Sequence, residues 1–374
     1  MRIKFNTSSY FNVFKHPILG TDINNWLRLL IRNKFNIYIK FIPKVIFLTL
    51  FSILNLPFQL FEYFIYSAKI NKVNLKSPIF VLGHPRSGTT YLNNLLSKDP
   101  SLSYSNTYNV LVPHIFLTID KGLKNIMSKV LPPTRPQDNV KMTIDSPKEE
   151  EFAMANISQT SYFFGFFFPK RIYENFEESV LFTDDKNRKH WQKKYDFFLK
   201  KIAFKNKNNR LLLKSPANTA RLKEIYELYP DAKFIHICRN PYDVYRSTVG
   251  LYEKVIPITS FQRIDKQEIE NFILTAYPKI YNKYFAGKEI IPANQLYELK
   301  YEDFIKSPVA HIEKAYDYLG INNFNMAKSF IEKEVKDVAD YETNTYGELP
   351  KAIKSRINQE WEFCFNEFEY DISV

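Results

Sequence analysis

The sequence is poor in cysteine, and its two cysteines, Cys238 and Cys364, are too few for a disulfide framework or a cysteine zinc site. Cys238 falls within an apolar run that predicts a strand, where a buried and inert packing role is expected. The chain also lacks a cluster of spaced metal ligands, a nucleophile elbow, an internal repeat and a low-complexity tract. This cysteine usage suits a reducing compartment.

Acidic residues are scarce in the first 76 residues, which hold 11 lysines and arginines against Asp22 and Glu62. That segment carries +9 of the formal net charge of +12, so the rest of the chain is close to balanced. A nucleic-acid-binding catalytic domain is therefore not expected. With 374 residues, 45% of them hydrophobic, the chain predicts one catalytic domain over 77–374, preceded by a basic, apolar helical extension over 1–76.

The longest apolar run is Val45 to Tyr66, which is interrupted by a few polar residues and flanked by lysines on both sides. The first residues show no compact hydrophobic core followed by small residues, so a cleavable signal peptide is not expected. A Phe- and Leu-rich segment with basic flanks is typical of a helix that lies in the membrane interface. A core helix and a membrane-spanning helix are the alternatives. We expect a cytoplasmic protein that contacts the inner face of the membrane.

The stretch Pro78 to Leu92 predicts a strand, a tight turn and the start of a helix. Such a turn directs backbone N–H groups and the positive end of the helix dipole at one point, which favours a phosphate or sulfate group. The glycine spacing is similar to that of an ATP-binding P-loop, but Thr89 stands where that motif requires lysine. The fixed cation is Arg86, inside the loop.

Two further strand-to-loop units follow. The run Leu211 to Leu213 ends in Lys214, and the run Lys233 to Cys238 ends in Arg239. In open α/β sheets ligands bind at the carboxyl ends of the strands. Ser247 follows Arg239 by two helical turns, so the two side chains can hold one phosphate together. Three successive strand ends with Arg86, Lys214 and Arg239 predict a convergent anion site.

Two acids are candidates for a general base. The sequence SPKEEEF at 146–152 predicts a helix with a capping box, with Ser146 as N-cap and Glu149 three residues later. Glu149 and Glu151 can therefore serve either to stabilise the start of this helix or to act as a catalytic base. His114, in a helix predicted over Thr107 to Asp120, is a weaker candidate.

The most aromatic stretch is SYFFGFFFP, residues 161–169. It is expected either to line an apolar acceptor pocket or to form a buried strand or core wall. Further helices are predicted over 266–285, 308–319 and 327–334, with a strand over 295–301. We interpret these elements as scaffold.

Two of these strand-to-helix junctions resemble motifs of a known family. GHPRSGTTYL, residues 83–92, resembles the 5′-phosphosulfate loop of the sulfotransferases, and RNPYDVYRS, residues 239–247, resembles their 3′-phosphate motif. The sequence between them is similar to bacterial sulfotransferases and to protein-tyrosine sulfotransferases. Either motif alone is weak, but both occur in order and each lies at a strand-to-helix junction.

The resemblance implies the sulfotransferase fold, a mostly parallel sheet flanked by helices. It also implies the co-substrate 3′-phosphoadenosine 5′-phosphosulfate (PAPS), no metal, and transfer of the sulfuryl group to an acceptor hydroxyl or, less often, an amine. Lys214 matches a catalytic lysine, and Arg239 with Ser247 matches the 3′-phosphate site. The remaining implied donor contacts are Arg86, Ser87, Gly88, Thr89, Thr90 and, in a closing loop at 343–347, Tyr346.

The sequence departs from the family where related enzymes often carry a glutamate or a histidine, because Asn106 and Thr107 stand in that region. Glu149 and Glu151 therefore come before His114 as candidate bases. Two other functions stay open: a membrane-associated protein that binds a nucleotide without catalysis, and a kinase or NTPase with a degenerate P-loop. The acceptor is open among lipid, carbohydrate, peptide tyrosine and phenol, with the apolar segments favouring a hydrophobic hydroxyl.

Overall fold

Five parallel strands, all within the described part of the chain, form one sheet in the computed structural model, in the order β2-β3-β1-β4-β5. The structure describes residues 3–13, 16–135, 140–207, 210–322, 324–339 and 347–373. The strands are β1 (Ile79–Leu82), β2 (Leu102–Tyr104), β3 (Arg210–Lys214), β4 (Lys233–Cys238) and β5 (Leu296–Lys300). With helices between the strands, this confirms the predicted α/β class with a parallel sheet.

The helices have the following bounds in chain order: α1 (Thr7–Phe11), α2 (Ile23–Arg32), α3 (Ile42–Asn71), α4 (Thr89–Leu96), α5 (Thr107–Leu111), α6 (Lys121–Val130), α7 (Glu150–Ile157), α8 (Phe164–Phe167), α9 (Ile172–Phe176), α10 (Asp185–Lys205), α11 (Leu222–Leu228), α12 (Pro241–Thr259), α13 (Lys266–Lys288), α14 (Tyr301–Phe304), α15 (Pro308–Leu319), α16 (Phe324–Asp337), α17 (Lys351–Glu360) and α18 (Glu362–Glu367). A π-helical turn, Glu177–Leu181, follows α9, and short 3₁₀ turns connect several of the others.

The described residues group into two compact units, each built from several chain segments. The first unit comprises Met1–Asn74, Ser105–Asn208 and Gly250–Glu270. The second unit comprises Leu75–Tyr104, Asn209–Val249 and Asn271–Val374, and it contains the whole sheet. The division of the chain into an extension and a catalytic domain at residue 76 stays a prediction.

Strand β1 lies at the centre of the sheet, between β3 and β4. Its four residues are all buried, as expected for a parallel strand covered on both faces. Val81 pairs with Lys214 in β3, and Leu82 pairs with His236 in β4. The carboxyl ends of the three strands therefore meet at one edge of the sheet, which is where the sequence places the candidate cations.

The predicted capping box at Ser146 is wrong. Helix α7 begins at Glu150, and Glu149 takes the N-cap position without a side-chain cap. The hydroxyl of Ser146 instead accepts from the amide of Thr143 at 2.9 Å. Pro147 pairs with Asn106 in an isolated antiparallel bridge, and the Lys148 amide donates to the Ser105 carbonyl at 2.9 Å, so this segment does not join the helix.

The helix predicted over 107–120 is also too long. Helix α5 ends at Leu111, because Pro113 disfavours helical backbone at the residue before it. The aromatic stretch 161–169 forms the short helix α8 rather than a strand, and the four residues of α8 are buried, as expected for a core wall.

Candidate functional site

The loop between β1 and α4 has the backbone of an anion-binding turn. Gly83 and Gly88 have φ angles of +145° and +96°, which glycine adopts without strain. Arg86 is also left-handed, with φ of +76°, and such strain in a non-glycine residue clusters at functional sites. The Gly83 amide donates to the Thr219 hydroxyl at 2.8 Å, which fixes the start of the loop.

Three cationic side chains meet at this loop. The Arg86 Nε donates to the Ser247 hydroxyl at 2.8 Å, and one Arg239 Nη donates to the Arg86 carbonyl at 3.3 Å. The Lys214 ammonium donates to the Thr90 hydroxyl at 3.4 Å. The structure thus brings the ends of β1, β3 and β4 together as the sequence predicts, and it links both family-like motifs by direct hydrogen bonds.

The end of β5, which the sequence pattern predicts to be scaffold, also supports Arg239. Tyr301 follows β5, and its ring centroid lies 4.4 Å from the Arg239 guanidinium, in a cation–π contact. Glu302 accepts from the Asn240 amide at 2.9 Å, which holds the chain at the start of α12. Asp243 lies 3.8 Å from the same guanidinium. The signal available in the sequence is the position of Tyr301 at the carboxyl end of a predicted strand.

His84 contributes no charge to the site at neutral pH. Its ring is buried and lies 2.8 Å from the Pro85 carbonyl oxygen. Burial lowers the pKa of His84 to about 4, because the charged imidazolium would lose its hydration. The positive charge around the loop therefore comes from the arginines and the lysine.

The candidate bases belong to the first unit, whereas the loop and its cations belong to the second. The Glu151 carboxylate accepts from the Ser161 hydroxyl at 2.9 Å and from the Tyr162 amide at 2.6 Å. His114 lies 3.5 Å from Asp22, but burial lowers its pKa overall. The catalytic roles of Glu149 and Glu151 stay predictions.

Residues 78–325 match the sequence model of the Sulfotransferase family. The chain belongs to the sulfotransferase family. This match spans the loop, the three strand ends and Ser247, so it covers the hydrogen-bonded cluster described above. The expected family membership and an enzymatic, group-transferring function are confirmed.

The similarity of this sulfotransferase to known proteins extends over most of its length. The omega-hydroxy-beta-dihydromenaquinone-9 sulfotransferase Stf3 of Mycobacterium bovis is 28% identical over 356 residues, which are 94% of this chain and 91% of that protein. The crystal structure of sulfotransferase STF1 from Mycobacterium tuberculosis has a TM-score of 0.65 at 17% identity, covering 94% of this chain and 96% of that one. Sulfotransferase STF9 from Mycobacterium avium has a TM-score of 0.65 at 16% identity, covering 84% and 82% of the two chains. The two crystal structures support the fold assignment.

The predicted closing loop of this sulfotransferase can be described only at its end. Tyr346 lies outside the described residues, so its role stays a prediction. The carbonyl of Gly347 accepts from Arg246 on α12 at 3.0 Å. Among the described residues, no group of three or more His, Cys, Asp or Glu side chains is arranged to hold a metal ion.

Gly88 gives a direct test of the loop. A Cβ atom at this position would lie 2.4 Å from the Tyr301 ring, and the positive φ adds strain. We expect Gly88→Ala to lower the free energy of unfolding by about 1–3 kcal/mol through overpacking. It should also abolish detectable binding of adenosine 3′,5′-bisphosphate, since Tyr301 must move away from the loop. Urea unfolding and calorimetry measure the two effects.

Gly320→Ala is the matched control. Gly320 also has a positive φ, +63°, but a Cβ there meets nothing within 4 Å. It should lose about 1–2 kcal/mol from backbone strain alone and bind the nucleotide normally. Normal nucleotide binding by Gly88→Ala would show that the contact between the loop and Tyr301 is not needed.

Proposed function

We propose that the enzyme transfers the sulfuryl group of PAPS to the hydroxyl of a hydrophobic acceptor. The observation that carries this proposal is the hydrogen-bonded cluster of Arg86, Ser247, Arg239, Thr90 and Lys214 at one edge of the sheet. An ordinary P-loop provides one phosphate site. This cluster joins that loop to a second cationic strand end, which suits a nucleotide with anionic groups at both its 5′ and 3′ positions.

The 5′-phosphosulfate is assigned to the loop. The amides of Ser87 to Thr90 lie at the start of α4, where N–H groups and the helix dipole favour an anion. The Arg86 guanidinium adds a fixed positive charge. Charge that develops on the departing phosphate oxygen would meet donors already in place, which is the usual source of catalysis in group transfer.

The 3′-phosphate is assigned to Arg239 and Ser247. Tyr301 and Asp243 both contact the Arg239 guanidinium, so its orientation is set before the ligand binds. Planar guanidinium groups bind phosphate oxygens in pairs. The hydroxyl of Ser247 is buried beside Arg86, so it would give up or share that contact when a phosphate binds.

Lys214 is assigned to the leaving oxygen. It is buried at the end of β3, and its donation to Thr90 holds the ammonium beside the start of α4. An ammonium in this position neutralises a leaving phosphate without a metal ion. For the proton of the acceptor hydroxyl, Glu149 and Glu151 are the proposed bases.

The acceptor class is inferred from a relative. Stf3 is named for a hydroxylated menaquinone, and 94% of this chain aligns with it. We propose a lipid-like hydroxyl as the acceptor here too. We further propose that the enzyme works in the cytoplasm at the inner face of the membrane; its free, buried Cys238 and Cys364 support a reducing compartment.

Calorimetric titration separates this proposal from its alternatives. The full-length protein should bind adenosine 3′,5′-bisphosphate equally well with Mg²⁺ and with EDTA. Adenosine 5′-monophosphate should bind at least about tenfold more weakly, because one lost charged hydrogen bond costs about 1.5–3 kcal/mol. Tight Mg²⁺-dependent binding of ATP would instead support a kinase or NTPase.

A further inference from the structure

Helix α3 buries several polar side chains and exposes many apolar ones. The polar residues Lys44, Ser52, Gln59 and Glu62 are buried on its inner side. The outer side carries large apolar side chains that are 40–76% exposed: Ile42, Ile46, Leu50, Ile53, Leu54, Phe58, Leu60, Phe61, Tyr63, Phe64 and Ile65. A surface helix of a water-soluble protein normally shows the opposite pattern. We call these eleven side chains the outer face of α3.

The inner face is fixed to the first unit by specific polar contacts. The Glu62 carboxylate accepts from the amides of Leu117 and Thr118, at 2.8 and 2.7 Å, and forms an ion pair with Lys201. The Lys44 ammonium donates to a backbone carbonyl of α12 at 3.2 Å. At about 100° per residue, the four buried polar positions lie within an arc of about 80°. The helix therefore cannot turn its apolar side inward without leaving buried charges unpaired.

The outer face is too large and too regular to be ordinary exposed apolar surface. Residues 42–65 extend over about 36 Å of helix at 1.5 Å per residue. Between Phe41 and Tyr66 the only charged residues are Lys44 and Glu62, and both are buried. Contiguous apolar patches of this kind mark an interaction site, because leaving them in water costs free energy.

The charges around the outer face indicate which partner covers it. Lys34 and Lys40 precede α3, Lys69 and Lys72 are at its end, and all four are exposed. Lysines at both ends of an apolar face complement the anionic lipids of a bilayer surface. Among the described residues, Ile39–Asn71 is the segment long and apolar enough to cross a membrane. However, its buried polar contacts hold it along the first unit.

We propose that the outer face of α3 is a membrane-docking surface that lies in the interface of an anionic bilayer without crossing it. Apolar side chains enter the acyl region, and the flanking lysines contact the headgroups. The surface deepens the proposed function, since it holds the enzyme where a lipid-like acceptor resides. The docking surface rests on the proposed function only for its biological purpose. Binding to vesicles and binding of the donor are therefore measured separately.

Vesicle flotation of the full-length protein tests the surface. Wild type should float with phosphatidylcholine vesicles that contain phosphatidylglycerol, more weakly at high salt, and more weakly with phosphatidylcholine alone. The double variant Leu54→Glu/Phe64→Glu changes two outer-face residues that are 70% and 76% exposed. It should lose at least about tenfold in vesicle affinity, since two exposed apolar side chains that would enter the bilayer are replaced by charges that anionic lipid repels.

The matched control is Met326→Glu/Phe330→Glu on α16, where the side chains are 60% and 53% exposed. It should float like wild type. All three proteins should bind adenosine 3′,5′-bisphosphate equally, which shows that they are folded and keeps a failure of docking distinct from a failure of the donor proposal.

Three results would overturn the docking surface. The first is wild-type protein that does not float with anionic vesicles. The second is a dimer in lipid-free solution that Leu54→Glu/Phe64→Glu converts to a monomer, because the outer face would then bind a second copy. The third is wild-type protein that stays in the membrane after a carbonate wash, because the helix would then cross the bilayer.

Discussion

Arg239→Ala is expected to weaken the binding of adenosine 3′,5′-bisphosphate by about 10- to 100-fold, because a charged hydrogen bond contributes about 1.5–3 kcal/mol. The guanidinium donates to the Arg86 carbonyl at 3.3 Å and stacks on Tyr301, so its loss affects the loop as well as the phosphate. Adenosine 5′-monophosphate, which lacks the 3′-phosphate, should lose much less affinity. Calorimetry with both nucleotides measures the difference.

Arg356→Ala is the control for Arg239. This arginine belongs to the same unit and is also partly exposed, but its partners are Glu360 and Asn271 on helical surfaces. Its removal should leave both affinities unchanged. An Arg239→Ala protein that loses affinity equally for the two nucleotides would contradict the 3′-phosphate assignment.

Lys214→Ala is expected to lower kcat on the order of 10²- to 10³-fold, the usual effect of removing one preorganised donor from a transition state. Binding of adenosine 3′,5′-bisphosphate should change only a few-fold, since the ammonium is needed most while charge develops on the leaving oxygen. Lys214→Met keeps most of the buried volume and should show the same loss. Single-turnover kinetics and calorimetry measure the two quantities.

Lys233 provides the matched control. It is at the amino end of β4, at the edge of the sheet opposite to Lys214, and donates to the Asn294 carbonyl at 3.0 Å. Lys233→Ala should keep its turnover. If Lys214→Ala also kept a normal rate, the lysine would have no part in the transfer step.

The core of the site could be predicted because its parts are local in sequence. Arg86 and Arg239 come shortly after the short apolar strands β1 and β4, and Lys214 is the last residue of β3. Parallel strands bring their carboxyl ends to one edge, so the motifs alone implied convergence. The hydrogen bonds from Arg86 to Ser247 and from Arg239 to the Arg86 carbonyl agree with that expectation.

The supporting contacts could not be predicted in the same way. Tyr301 meets Arg239 and Gly88 across long stretches of sequence, and its position depends on β5 pairing beside β4. The capping box at Ser146 failed for a similar reason: pairing with residues 105–107 outweighs a local helix signal. Strand β2 has only three residues, too few for a strand pattern to be recognised in the sequence.

The apolar segment shows a third limit of local patterns. Its hydrophobicity and basic flanks left three alternatives open: lying on a membrane, spanning it, or packing in the core. Which side of the helix faces the protein depends on partners distant in sequence, such as the amides of Leu117 and Thr118 that bind Glu62. Those contacts are what define the outer face of α3.

The most direct test of the account is transfer of label from ³⁵S-labelled PAPS by the full-length enzyme, with a lipid extract and a water-soluble sugar extract as parallel acceptors. The account predicts labelled product in the lipid extract, dependent on Lys214 and formed in the presence of EDTA. Label only in the sugar extract, or in neither although adenosine 3′,5′-bisphosphate binds, would contradict it.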